Sequence, residues 1–471
     1  MKAVNLAAVS TLILAAACSS SPTRKTSAEQ QGQAGNGPTQ PSPNDPGAQP
    51  DDPGGEEPTT DAGQGPGDDA GAPVDAGSGD AGGSADAVDG GGAADCVFNA
   101  GTGGAHPSGW RPVASPSSIG QSATAPQATA RWTGHELLVF GGGMSASYQP
   151  ATDTWKALPD APITMRAGAI VELAGKSKLV VYGGGYPGNI YANDGAIFDV
   201  CTATWTKIPA APISGRDFTA HAYATTSGEL VVWGGNRSSV PSSDASAGAG
   251  GGEKEDGAAY DLATGTWRVI ANARTQLAPT GDFFTAFYGS AWTGSTMLVY
   301  GGGPNHGGAP TTNAALEYDP VADKWSWLAS PAVQGRQFTG GQAEAAMGTS
   351  GVTFFQGNAV RLPLWRPGDG ASYDFATRTW TAIPAPDVAA LPDPVRDNSG
   401  FAWIGGRMYL WGGFGTDATT DASGASFDPL TKTWSAMPTG GPVRSTYDNV
   451  YATALDGEAL FWGDQLAIFR P

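Results

Sequence analysis

Short apolar runs recur along most of the chain, and they end in the same way. An aromatic residue closes each run and a glycine pair follows it in LLVFGG (137–142), LVVYGG (179–184), LVVWGG (230–235), MLVYGG (297–302) and MYLWGG (408–413). Two weaker copies are VTFFQG (352–357) and ALFWGD (459–464). Because each run has only four or five residues and is bounded by glycine, it predicts a strand that is buried on both faces.

A second motif lies between these runs. An aromatic residue is followed seven positions later by tryptophan, at Tyr148 and Trp155, Phe198 and Trp205, Tyr260 and Trp267, Tyr318 and Trp325, Tyr373 and Trp380, and Phe427 and Trp434. Asp and Pro after the aromatic residue, and Thr three positions before Trp in five of the six copies, predict a tight turn between two strands. Successive copies start 50 to 62 residues apart. Such a period, holding four short strands, is that of a β-propeller blade.

The two ends of the repeat array predict how the ring closes. The seventh copy reaches Phe469-Arg470-Pro471 without its tryptophan, whereas Trp110-Arg-Pro-Val matches the strand of Trp155 with no blade before it. We therefore expect seven blades, the last built from three C-terminal strands and one N-terminal outer strand. This arrangement removes the free edge that an open ring would leave.

With the glycine pair, the Tyr-Asp pair and the tryptophan in this order, residues from about 110 to 471 resemble the Kelch repeat family, whose propellers are similar to the central domain of galactose oxidase. The resemblance implies an all-β, seven-bladed Kelch-type β-propeller. Copies five and seven depart from the family pattern at Gln356-Gly357 and Gly463-Asp464. We expect those two blades to turn differently.

The N-terminal region differs from the repeats. Residues 1–18 combine Lys2 with an apolar run too short to cross a membrane, as in a secretory signal, and Leu14-Ala-Ala-Ala-Cys18 resembles a bacterial lipoprotein signal. That resemblance implies lipidation of Cys18 and export to the bacterial envelope, with the outer membrane or cell surface as the expected place; simple secretion is the alternative. Residues 19–95 hold 17 Gly, 10 Pro and 14 acidic residues but almost no large apolar side chain, so they predict a disordered acidic tether before a propeller of residues 96–471.

Charge narrows the range of partners. The formal net charge is −19, and the chain contains no basic run. This balance argues against nucleic acid and against anionic membrane surfaces as partners of the folded region. We expect a monomer that meets the membrane only through its N-terminal lipid.

Arginine recurs near the start of the predicted innermost strand, at Arg166, Arg216, Arg336, Arg396 and Arg444. One interpretation is structural, because each arginine can pair with a carboxylate or stack on an aromatic ring and so lock adjacent blades. The alternative is a ring that binds an anionic glycan or an acidic peptide, on the same face as the long loops at 185–195, 236–257, 303–313, 358–370 and 414–424. In Kelch proteins that bind peptides, arginines at corresponding positions contact acidic groups.

Signals for catalysis are sparse. The copper site of galactose oxidase-like propellers needs two histidines, two tyrosines and a cysteine, but this chain has only His106, His135, His221 and His306. Of these, His221 and His306 are predicted near the channel mouth, and His306 is retained as a ligand-binding candidate. No nucleophile elbow, phosphate loop or zinc spacing is present. We therefore expect no cofactor and no metal, and assign no catalytic residue.

The chain has three cysteines. If Cys18 is lipidated, Cys96 and Cys201 remain, and an exported chain favours pairing over two free thiols. Cys201 lies in the turn between the third and fourth strands of blade 2, and Cys96 just ahead of the outer strand of the last blade. We predict a disulfide bond between them.

Three classes of function remain open. The favoured class is a non-enzymatic binding or scaffold module that takes a protein or glycan ligand at the cell surface. The second is a carbohydrate-active enzyme, since sialate mutarotases share the Kelch repeat. The third is a purely structural envelope protein. The sequence does not name a ligand.

Overall fold

The computed structural model describes residues 107–121, 129–141, 143–163, 170–174, 177–186, 190–237, 255–277, 288–303, 312–336, 345–346, 350–355, 360–361, 364–365, 368–387, 389–393, 396, 399–413, 422–442, 451–455 and 457–471. The predicted signal sequence and tether, with Cys18 and Cys96, lie outside these ranges.

The described strands form seven four-stranded antiparallel sheets, which are the blades of a β-propeller, as the repeats predict. The first strand is β1 (Gly109–Pro112), followed by a 3-10 helix at Pro116–Ile119. Blade 1 contains β2 (Thr129–Trp132), β3 (Leu137–Gly141), β4 (Met144–Gln149) and β5 (Thr154–Ala157). The region of blade 2 contains β6 (Ile170–Ala174), β7 (Lys178–Tyr182), β8 (Gly185–Tyr186), β9 (Ile190–Tyr191), β10 (Gly195–Asp199) and β11 (Thr204–Ile208).

The region of blade 3 contains β12 (Arg216–Asp217), β13 (Ala220–Ala224), β14 (Glu229–Trp233), β15 (Asn236–Arg237), β16 (Gly257–Asp261) and β17 (Thr266–Val269), and the helix α1 (Ala273–Leu277) follows. Blade 4 contains β18 (Tyr288–Trp292), β19 (Met297–Gly301), β20 (Ala315–Asp319) and β21 (Lys324–Leu328). The region of blade 5 contains β22 (Ala345–Ala346), β23 (Gly351–Phe355), β24 (Val360–Arg361), β25 (Leu364–Trp365), β26 (Gly370–Asp374) and β27 (Thr379–Ile383).

Blade 6 contains β28 (Gly400–Ile404), β29 (Arg407–Trp411), β30 (Gly424–Asp428) and β31 (Thr433–Ala436). The last three strands are β32 (Tyr451–Ala454), β33 (Ala459–Trp462) and β34 (Leu466–Arg470). The pairs β8 with β9, β12 with β15, and β24 with β25 form separate two-stranded sheets in the connections.

Blade 7 closes the ring with both ends of the repeat array. Strand β1 pairs antiparallel with β34, in a register that places Trp110 opposite Phe469 and Gly109 opposite Arg470. The Trp110 ring also lies 4.6 Å from the ring of Trp411 in blade 6, centroid to centroid. The closure predicted from the sequence is therefore confirmed.

The hydrophobic core lies between neighbouring blades, because both faces of each sheet are apolar near its second strand. All described residues of β3, β14, β19 and β23 are buried. The aromatic residue before the glycine pair contacts the outer tryptophan of the next blade, as Phe140 does with Trp205 at 5.1 Å between ring centroids. This aromatic residue therefore packs between blades.

The outer tryptophans also link the blades through hydrogen bonds. The indole Nε1–H of Trp155 donates to the carbonyl oxygen of Ala114 at 2.6 Å, across the boundary between blades 1 and 7. Ala114 stands four residues after Trp110, and the same offset holds at the other bonds. These are Trp205 to Pro159, Trp267 to Pro209, Trp325 to Ala271, Trp434 to Pro384 and Trp110 to Pro438, at 2.8 to 2.9 Å. The seventh tryptophan, Trp380, has a buried Nε1 without an acceptor.

The turn between the third and fourth strands has one conformation in six blades. The residue two positions before the tryptophan has a positive φ in each: Asp153, Ala203, Gly265, Asp323, Arg378 and Lys432, at 49° to 70°. The carboxylate that opens the turn accepts backbone N–H groups, as Asp374 does from Thr377 at 2.7 Å. That hydrogen bond lowers the pKa of Asp374.

In the part of the chain that the structure describes, we find no helix with the length and apolar character needed to cross a membrane.

Candidate functional site

The two faces of the ring differ in the length of their connections. On one face, which we call the turn face, the connections after the first and third strands have at most four residues, such as 150–153 between β4 and β5. On the other, the loop face, the connections follow the second and fourth strands. Those after the second strand span 183–194, 234–256, 302–314, 356–369 and 412–423 in blades 2 to 6, and only 142–143 and 463–465 in blades 1 and 7. The expected concentration of long connections on one face is present.

The chain enters and leaves the propeller on the turn face. Strand β1 starts at Gly109, opposite Arg470 at the end of β34, and the Ser108 hydroxyl donates to the carbonyl oxygen of Pro471 at 2.9 Å. Cys201 is on the same face, in the turn between β10 and β11, and it is disulfide-bonded. Its predicted partner, Cys96, lies outside the described residues, so this pairing stays a prediction. The loop face is therefore opposite to the point of chain entry.

Arg216 joins blades 2 and 3 at the loop face. Its Nε donates to the carbonyl of Ser214 at 3.0 Å, and its Nη1 donates to the carbonyls of Gly234 at 3.0 Å and Asp256 at 3.1 Å. Its Nη2 forms a salt bridge with Asp256 Oδ1 at 3.2 Å. The side chain therefore holds together the two ends of the connection 234–256.

The backbone of Arg216 extends this link to blade 2. Its carbonyl accepts from the N–H of Gly184 at 3.0 Å, and its own N–H donates to the carbonyl of Ala192 at 3.1 Å. Gly184 has φ +98°, a conformation that favours glycine. One residue thus fixes the base of two neighbouring loops.

Arg336 and Arg396 repeat this arrangement. Arg336 donates to the carbonyl of Asp369 at 2.6 Å and pairs with its Oδ1 at 2.9 Å, while its backbone bonds to Gly302 and Thr312 of blade 4. Arg396 donates to the carbonyls of Gly412 at 3.1 Å and Ser423 at 3.3 Å. Each of the three arginines bonds both to its own blade and to the segment that precedes its innermost strand.

These contacts correspond to the structural interpretation of the arginines. The side chains of Arg216 and Arg336 are 0% exposed, and Arg396 as a whole is also 0% exposed. An anionic ligand would have to displace protein acceptors to reach these guanidinium groups. The other three candidates, Arg166, Arg444 and His306, lie outside the described residues, so the ligand-binding role predicted for the set remains a prediction.

His221 lies on the innermost strand β13, as expected, in a buried environment. Its ring Nδ1 is 3.2 Å from the carbonyl of Thr219, and its backbone N–H and carbonyl both bond to the Ser290 hydroxyl of blade 4 at 2.9 Å. Burial lowers the pKa of His221 to about 4, and the positive charge of Arg131 acts in the same direction. His221 is therefore neutral at pH 7 and serves the packing between blades 3 and 4.

The remaining histidines are not assembled into a site within the described residues. His135 lies in the turn between β2 and β3 on the turn face, in contact with the side-chain amide of Gln149. His106, like His306, falls outside the described ranges. Within those ranges, no three His, Cys, Asp or Glu side chains come together as a possible set of metal ligands.

A second group of polar residues was not identified from the sequence. Arg268 of β17 pairs with Glu229 of its own blade, with Nε 2.6 Å from Oε1, and reaches the Tyr318 hydroxyl of blade 4 at 3.3 Å. That hydroxyl donates to Asp323 Oδ1 at 2.6 Å, and the hydrogen bond to Glu229 raises the pKa of Arg268. Arg268 directly follows the motif tryptophan Trp267, and Arg111 directly follows Trp110. An arginine at this position is the sequence feature that could have identified these residues.

The network around Arg111 joins blades 7 and 1. Its Nη2 lies 3.6 Å from Glu458 Oε2, and its Nη1 donates to the Tyr148 hydroxyl at 3.5 Å. Tyr148 in turn donates to Asp153 Oδ1 at 2.7 Å. Both networks link neighbouring blades.

Comparison of the sequence with models of known protein families gives no match, and comparison with curated proteins finds no relative of significant similarity.

Proposed function

We propose that this protein is a Kelch-type, lipid-anchored binding or scaffold module of the bacterial envelope, which binds a protein or glycan ligand on the loop face. The N-terminal signal with Cys18 supports export and anchoring, and the acidic, glycine- and proline-rich tether gives the propeller reach from the membrane. The order of glycine pair, aromatic residue and tryptophan supports the Kelch assignment.

The main support is the opposition of the two faces. The chain enters beside Pro471 on the turn face, whereas the long connections of blades 2 to 6 are on the loop face. The loop face is therefore the face on which we expect a partner to bind. Binding residues of rigid scaffolds are concentrated in such connections.

The buried arginines support the same function in another way. Arg216 holds both ends of the connection 234–256, Arg396 holds both ends of 412–423, and Arg336 holds the Asp369 end of 356–369. Fixed ends limit the conformational entropy that a loop loses when it binds. The propeller thus provides firm bases for segments of variable length.

The anchor is tested by metabolic labelling with a palmitate analogue in a host that processes lipoproteins. We expect label on the parent protein and none on Cys18→Ser, with the variant released into the soluble fraction. Equal labelling of the two proteins would contradict the anchor. Release of both proteins without label would support simple secretion.

Binding is tested with the mature full-length protein on a glycan array and against envelope extracts, alongside turnover assays at reducing ends. A variant with residues 238–254 replaced by a short Gly-Ser linker should lose or weaken binding. The matched control is Leu430→Ser on the turn face, where Leu430 is 93% exposed; it should bind like the parent. Sugar turnover by the parent would show an enzyme, and equal binding by the loop variant would remove that connection from the site.

A further inference from the structure

Among the described residues, the seven boundaries between blades are not equally bonded. At six of them, an outer tryptophan donates to a carbonyl of the preceding blade at 2.6 to 2.9 Å. The acceptor stands four residues after the tryptophan of that blade, which at the boundary between blades 4 and 5 is Ala329. Trp380 Nε1 is buried there without any acceptor. A buried donor without a partner loses the bonds to water that it makes in the unfolded chain.

A second type of bond strengthens two other boundaries. Asp153 Oδ1 accepts from the backbone N–H of Ala114 at 3.0 Å, and Asp323 Oδ1 accepts from that of Ala271 at 2.9 Å. The equivalent position in blade 5 is Arg378, whose cation has no such role. Arg378 pairs instead with Glu317 of blade 4 at 2.7 Å, with 51% of its side chain exposed. Exposed ion pairs contribute little to stability.

Other contacts at the boundary between blades 4 and 5 are retained. The apolar cluster around Leu298, Tyr300 and Phe354 remains at the boundary, together with the backbone bonds of Arg336. The boundary between blades 2 and 3 has the equivalent arginine bonds and, in addition, the bond from Trp267 to Pro209.

We propose that the propeller opens first at the boundary between blades 4 and 5, and not at blade 7, where the two ends of the repeat array meet. Opening there breaks no tryptophan bond and exposes the unpaired Trp380 donor to water. Opening at any other boundary breaks an outer-tryptophan hydrogen bond in addition. The separation of blades 4 and 5 is therefore a local opening whose free energy is lower than that of global unfolding. Native-state hydrogen exchange detects openings of this kind.

Hydrogen exchange of the full-length protein under native conditions tests this order. Amides of β23 and β26 in blade 5 should exchange at least about tenfold faster than those of β14 and β16 in blade 3, a factor that corresponds to about 1.4 kcal/mol. Blade 7 strands β33 and β34 should exchange as slowly as blade 3. Faster exchange in blade 7 than in blade 5, or equal exchange in blades 3 and 5, would overturn the proposal.

An engineered disulfide bond across the boundary between blades 4 and 5 provides a second test. Glu317→Cys combined with Arg378→Cys replaces an ion pair between a half-exposed arginine and a mostly buried glutamate, and peptide mapping shows whether the new disulfide bond forms. Oxidation should slow the exchange of β23 and β26 by tenfold or more and leave β14 and β16 unchanged. Glu317→Ser combined with Arg378→Ser is the matched control, because reduction would also break the disulfide bond of Cys201. If oxidation slows all blades equally, or none, the boundary does not open first.

Discussion

The indole of Trp155 and the carbonyl of Ala114 are held 2.6 Å apart across the boundary of blades 1 and 7. This is the shortest of six equivalent bonds, and it connects the first complete blade to the chain just after the closing strand β1. Each tryptophan that forms such a bond packs in the core and also links its blade to the preceding one. The side chain contributes apolar area, and its N–H selects one position of the preceding blade.

The tryptophan bond can be measured by paired substitutions. Trp434→Phe removes the donor to Pro384 at 2.9 Å, whereas Trp380→Phe removes a donor that has no acceptor. Both changes delete similar ring area, so we expect Trp434→Phe to lose about 1 kcal/mol more of unfolding free energy than Trp380→Phe. Denaturant unfolding gives the two values; equal losses would mean that the indole bonds add nothing to stability.

The buried arginines should be required for stability. Arg336→Gln leaves Asp369 without its cation and removes donors from buried carbonyls, so it should cost about 3 kcal/mol. Arg407→Gln is the control, because Arg407 forms a salt bridge with Asp428 and is 45% exposed, and it should cost below about 1 kcal/mol. Melting curves and binding to sulfated or sialylated glycans are recorded on the same samples. Unchanged melting with abolished glycan binding would instead support the anion-binding role of the arginines.

The positive φ angles in the turns predict a stabilising substitution. Lys432 has φ +58°, a conformation that costs an L-residue more than it costs glycine. Lys432→Gly should therefore raise the unfolding free energy by about 0.5 kcal/mol, after the greater freedom of glycine in the unfolded chain is included. The reverse change, Gly265→Ala at φ +70°, should lower it by about 1 kcal/mol. Differential scanning calorimetry would show opposite shifts of Tm, and shifts of the same sign would contradict this account.

The low pKa of buried His221 predicts that the folded protein loses stability in mild acid. Its pKa is about 4 in the folded protein and about 6.5 in an unfolded chain. Between these values the unfolded state binds more protons, so stability falls as the pH drops from about 6.5 to 4, by about 3 kcal/mol in total. His221→Gln should flatten this part of the curve. A curve for His221→Gln that still falls like the parent's would assign the effect to other groups.

The disulfide bond of Cys201 predicts the state of Cys96. Unfolded but unreduced mature protein should show no thiol that reacts with a maleimide, and peptide mapping should recover Cys96 joined to Cys201. Cys201→Ser should then expose one thiol, which provides the control. Two reactive thiols in the parent would contradict the pairing.

Much of the fold was predictable because it rests on local patterns. The aromatic-to-tryptophan spacing became a cross-strand pair in each blade, as Tyr148 opposite Trp155 shows. The closing strand was predictable because Trp110 matched a blade motif that had no blade before it. Both signals depend only on the order and spacing of residues, which the chain carries directly.

The candidate site was less predictable because it depends on which groups each side chain contacts in the folded protein. The recurrence of Arg216, Arg336 and Arg396 was evident, but their burial depends on carbonyls supplied by residues such as Gly234 and Gly412. Arg268 and Glu229 are 39 residues apart in sequence and meet only when β14 and β17 share a blade. No local pattern reports such a contact.

The pairing of β1 with β34 also sets the order in which the chain folds. The contact from Ser108 to Pro471 spans 363 residues, far more than any strand pair within blades 1 to 6. Since the entropy of loop closure grows only with the logarithm of length, closing this span costs about 2 kcal/mol more than closing a span of one blade. Rates depend more strongly on non-local contacts. We therefore expect ring closure to be a late step of folding, with only a small effect on the stability of the finished ring.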